Sequence, residues 1–61
     1  MNGKQIIKIL EANGWTLTRT NGSHHLLKKS GISAVVPVHG PQDLKIGTLK
    51  GIEKQTGVKL K

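Results

Sequence analysis

Apolar positions recur with two different periods along the chain, and the changes of period divide it into segments. From Asn2 to Asn13 the residues Ile6, Ile9, Leu10 and Asn13 fall three and four apart, with Ile7 widening the stripe, which predicts an amphipathic helix. Asn2 is placed to cap its start, and Gln5 three residues on makes a variant of the capping box. Gly14 is placed to end it in a left-handed turn. The period then drops to two. Trp15, Leu17 and Arg19 alternate with three threonines up to Thr20, the pattern of a half-buried strand, and Asn21-Gly22 is a strong hairpin signal. The expected return strand is His24 to Lys29. Ser30-Gly31 makes a second turn, and a third strand runs from Ile32 to Val38 with Ile32, Ala34, Val36 and Val38 on one face. Pro37 donates no ladder hydrogen bond and puts this strand at an edge.

The residues His39-Gly40-Pro41-Gln42-Asp43 have the composition of a loop, with Asp43 a candidate N-cap for a second helix. That helix is expected from about Lys45 to Thr56. Ile46, Leu49 and Ile52 form its apolar stripe, and Gly57 ends it. Gly47 and Gly51 each weaken it by roughly 1 kcal/mol relative to Ala. Four apart, they could admit a close backbone neighbour. Val58 and Leu60 can pack as a short tail. The order α-β-β-β-α predicts an α+β fold, a three-stranded antiparallel sheet covered on one face by both helices and open on the other. This is the topology of double-stranded-RNA-binding domains, which by itself assigns no function.

Size and charge narrow the function classes. The 61 residues suffice for one domain, residues 1–61, with a small core. Ten Lys and Arg against three acidic residues give a formal charge of +7, a field that favours polyanions, nucleic acid above all. There are no cysteines, so disulfides and thiolate metal sites are excluded. No apolar run approaches the roughly 20 residues of a membrane span, and no signal-peptide core opens the chain. A cytoplasmic protein with no membrane partner is expected.

The catalytic inventory is short. Glu11, Asp43 and Glu53 are the only acids, too few and too scattered for a paired-carboxylate or two-metal mechanism, so neither a metal site nor a cofactor is expected. The serines lie in or beside turns, and no Ser/His/Asp arrangement is suggested. His24 and His25 are adjacent on a strand and must face opposite sides of the sheet, so they cannot share one metal. Which of the two faces outward is open, because Leu26 and Leu27 split between the faces, as do Lys28 and Lys29. His39 opens the loop after the third strand and can approach one of them in space.

Asn21-Gly22-Ser23-His24-His25 resembles the G-[S/G]-H segment that opens strand two of the HicA mRNA-interferase toxins. Val36-Pro37-Val38-His39 resembles their V-P-x-H segment. The stretch from Leu44 to Ile52 resembles their L-x-x-G-T-[L/F]-x-x-I segment, and Gly14-Trp15 their G-[F/W] after the first helix. The likeness spans about residues 4 to 58. It implies cleavage of mRNA, inhibition by a HicB-type antitoxin, and His24 as the catalytic residue, with Gly22 and Ser23 in the same motif. Arg19, Lys28 and Lys29 flank the hairpin and are the candidate RNA-binding cations. Leu26 and Leu27 stand where relatives often carry an aromatic, which leaves strand two without a base-stacking platform. The alternative is a non-catalytic RNA-binding module of the same fold. A protein-interaction subunit whose basic face meets an acidic partner is a third reading of the same charge.

Overall fold

The computed structural model describes residues 1–60. Its elements are α1 (Gly3–Ala12), β1 (Thr16–Asn21), β2 (His24–Lys29), β3 (Ile32–Pro37) and α2 (Ile46–Thr56), the expected α-β-β-β-α order. Both expected signals at α1 are used. The Asn2 side chain accepts from the Gln5 N–H at 3.0 Å while Gln5 accepts from the Asn2 N–H at 2.8 Å, closing the capping box. Past the C-cap Asn13, Gly14 takes φ +91°.

The strands form one antiparallel sheet in the order β1-β2-β3, so β3, with its Pro37, is an edge, and β1 is the other. Ile6 and Leu10 of α1, Trp15, Leu27 of β2, Ala34 and Val36 of β3, Ile52 of α2 and Leu60 form the buried core. Both helices therefore cover the face that carries Leu27, Ala34 and Val36. α2 is tied to β3 by the Gln55 side chain, which donates to the Ser33 carbonyl at 2.8 Å.

Four expectations need correction. The central residues of the first hairpin are Gly22 and Ser23, one residue later than Asn21-Gly22, because Asn21 pairs with His24. Gly22 has φ +62° and Ser23 is not left-handed, the pattern of a two-residue turn with Gly first. Secondly, β1 does not alternate throughout. Leu17 opposes Leu27 and Arg19 opposes Leu26, leaving Thr18 as the extra residue of a β-bulge, its hydroxyl donating to the Leu26 carbonyl at 3.2 Å. Leu17 thus stays on the helix side while Arg19 turns to the open side. Thirdly, Asp43 does not cap α2, whose N-cap is Lys45 with no side-chain hydrogen bond. The Asp43 carboxylate lies 3.2 Å from the amino terminus, and Asp43 bridges to Asn2. Lastly, Gly47 and Gly51 admit no close neighbour, and both look onto open space. The glycine with a packing role is Gly3, where a Cβ would lie 2.5 Å from the Pro37 carbonyl oxygen and 2.7 Å from Val38 Cγ2.

Candidate active site on the open face of the sheet

Residues directly opposite each other in a sheet share a face, so the register settles what the alternation could not. His25 pairs with Val36 and Thr20, Leu27 with Ala34 and Leu17, Lys29 with Ile32. Since Leu27, Ala34 and Val36 are fully buried, this is the helix side. His24 pairs with Pro37 and Asn21, Leu26 with Val35 and Arg19, Lys28 with Ser33 and Thr16, and these make the open side.

His24 is exposed there, at the hairpin end of the central strand, and its side chain makes no hydrogen bond within the described residues. His25 is half-buried on the helix side, with Nδ1 buried and lacking a hydrogen-bond partner among the described residues. Across the open face Asn21 and Pro37 stand beside His24, at the roughly 5 Å Cβ separation of opposed residues. Arg19 is one row further along, at the roughly 7–8 Å of a diagonal pair. Lys28 completes the row after that. Leu26 and the half-exposed Val35, at 46% exposure, give the face an apolar centre between these polar groups.

Of the five residues expected to contact RNA, Gly22 and Ser23 form the turn immediately before His24, and Arg19 and Lys28 share its face. Lys29 does not. It extends on the helix side, and its Nζ donates to the Asn13 carbonyl at 2.6 Å. A cation at the C-terminal end of α1 is favoured by the unpaired carbonyls and by the helix dipole. The alternation of β1 concealed both Thr18 and the true side of Arg19. A signal was present nonetheless. With Gly22-Ser23 at the tip, an unbroken ladder would set Leu17 opposite Lys28 on the open side, away from the core, and a bulge between Leu17 and Arg19 removes that conflict.

Among the described residues no carboxylate joins the face. Asp43 is engaged by the amino terminus, Glu53 accepts from the Leu60 N–H at 2.7 Å on the α2 side, and Glu11 lies near the far end of α1. Among the described residues no three His, Asp or Glu converge as a metal-ligand group. A hollow of about 400 Å³ lined by Lys50, Glu53, Lys54, Gly57, Val58 and Lys59 lies at the C-terminal end of α2 and contains none of the open-face residues. His24 is served by a surface, which suits a polymer better than a small metabolite.

An exposed imidazole between a glycine-led turn and two cations, on a small α-β-β-β-α domain, defines a class of site that can meet a phosphodiester. The sequence matches the family model described as the HicA toxin of bacterial toxin-antitoxin over residues 3–58, and the chain belongs to this toxin family. Membership implies an antitoxin partner. No curated protein matches the chain closely enough to count as a relative. Among the described residues no helix is long and apolar enough to cross a membrane.

Proposed function

We propose that this toxin is a metal-independent endoribonuclease that cleaves mRNA through His24 in the cytoplasm and is restrained by a HicB-type antitoxin. The observation that carries the reading is the division of the two adjacent histidines. His25 is turned into the helix side, and His24 stands free on the open face in line with Arg19 and Lys28. RNA supplies its own nucleophile, the 2′-hydroxyl. An imidazole is suited to take up or give back that proton near neutral pH. Cations on the same face stabilise the charge that builds on the phosphoryl oxygens. The products are a 2′,3′-cyclic phosphate and a 5′-hydroxyl. Base preference is weak, since the one aromatic residue, Trp15, is buried in the core and offers no stacking surface.

Purified protein incubated with RNA and excess chelator tests the proposal. Wild type should cleave and leave cyclic phosphate ends. His24→Ala should lose about 100- to 10,000-fold in rate, the range a positioned proton-transfer group contributes. Its melting temperature and RNA affinity should stay near wild type, because the side chain is exposed and unpaired. Salt-sensitive binding with no cleavage by wild type would instead identify the non-catalytic RNA-binding module. Ends bearing only 3′-hydroxyls would contradict attack by the 2′-oxygen.

A further inference from the structure

His39, the last residue of the Val36-Pro37-Val38-His39 segment, has no task in the site described so far. We propose that its imidazole is the second proton-transfer group, the acid that protonates the departing 5′-oxygen. The proposal rests on the reading of the chain as a ribonuclease.

β3 ends at Pro37, but the Val38 N–H still donates to the Ser23 carbonyl at 2.7 Å, so the chain is held against the hairpin turn for one residue more. In the register that pairs His24 with Pro37, Val38 opposes Ser23 and His39 draws level with Gly22. Pro37 shares the open face with His24. Val38 lies on the helix side, packed against the core, with Cγ2 at the closest approach to Gly3. Carried two residues past the end of β3, the same alternation brings His39 to the open face. Arg19, and His39 on this continuation, then flank His24 diagonally on its two sides, at roughly the 7–8 Å of diagonal pairs. That spacing leaves room for one phosphate between the imidazoles.

The loop is anchored at both ends. The His39 carbonyl accepts from the Gln42 N–H at 3.2 Å across Gly40, which takes φ +60°. Two residues on, the Leu44 N–H donates to the Met1 carbonyl at 3.0 Å, and Asp43 holds the amino terminus. The His39 side chain is exposed and makes no hydrogen bond within the described residues. With all three carboxylates engaged or remote, it is the group of suitable chemistry beside His24.

The step balances. The 2′-oxygen forms its bond to phosphorus as its proton passes to His24. The bond from phosphorus to the 5′-oxygen breaks, its electron pair leaves with that oxygen, and the oxygen takes a proton from His39. Exchange with water then restores both imidazoles.

Two substrates separate this role from a structural one: an RNA dinucleotide, whose alkoxide leaving group needs a proton, and uridine 3′-(p-nitrophenyl phosphate), whose phenolate does not. His39→Ala should slow dinucleotide cleavage by about 100-fold or more but the aryl ester by less than about tenfold, whereas His24→Ala should slow both. The bell-shaped pH–rate profile of wild type should lose its alkaline limb in His39→Ala and in His39→Gln. Equal losses on both substrates, or wild-type cleavage of the dinucleotide by His39→Ala, would overturn the assignment while leaving His24 in place. A wild type that cleaves neither substrate nor long RNA would remove the ribonuclease reading and this proposal with it.

Discussion

A pleated strand sends neighbouring side chains to opposite faces, so His24 and His25 were bound to differ, but only the pairing with Val36 and Pro37 assigns them. The same rule divides Lys28 from Lys29, and here it yields a measurable contrast. Lys28 and Arg19 share the open face, while the Lys29 ammonium is held at the end of α1. Arg19→Gln and Lys28→Gln should each flatten the slope of log affinity against log salt by about 0.7 for single-stranded RNA, through the loss of one counterion-releasing contact. Lys29→Gln should leave that slope unchanged and lower stability instead, by under about 1 kcal/mol. Binding titrations at several salt concentrations, with a thermal melt of each variant, check the three together. A flattened slope for Lys29→Gln would mean that its cation reaches the RNA.

At the scale of elements, the hydrophobic periods revealed five segments in the right order, and the capping box and Gly14 were plain in the sequence because their chemistry is local. What could not be read was register. The strand-one alternation is regular on paper, yet one extra residue turns Arg19 away from the side of Leu17, and the need for that bulge shows only once the turn is placed at Gly22-Ser23. Two deletions test the geometry with the same chain length and turn. Without Thr18 the ladder runs unbroken and keeps both Leu17 opposite Leu27 and Arg19 opposite Leu26, so RNA cleavage should survive. Without Thr20, Arg19 falls opposite His25 on the helix side, and cleavage should drop by about 100-fold, the scale of one lost charge-stabilising group. Equal activity in the two would mean that the side of Arg19 is irrelevant. The glycines of α2 misled for a related reason: spacing suggests a close approach but does not supply the neighbour. Gly51, facing open space within a helix, should accept Ala with a gain of about 1 kcal/mol, or roughly 4–8 °C in Tm for a chain of this size. Gly3→Ala should cost about 1–3 kcal/mol by driving a methyl into Pro37 and Val38. Calorimetry of both variants decides.

For the whole molecule, the excess of cations and the open sheet face bear on the antitoxin. A partner that silences the toxin by occupying that face must exclude RNA from it. Adding a HicB-type antitoxin to toxin loaded with fluorescent RNA should therefore release the RNA stoichiometrically, with His24→Ala giving the same release. Simultaneous binding, seen as rising anisotropy, would place the antitoxin elsewhere. The composition set the charge, and the family resemblance singled out His24 as the histidine to test. The partition of the cations between the faces depended on long-range pairing that no local pattern encodes. The two outer strands add a last consequence. Each has a flaw along its free border: an extra residue in β1 and a missing amide hydrogen at Pro37 in β3. Neither border offers an uninterrupted row of amides and carbonyls to a further strand. Copies of the toxin are thereby discouraged from zipping together into extended sheets by backbone stitching at the rim.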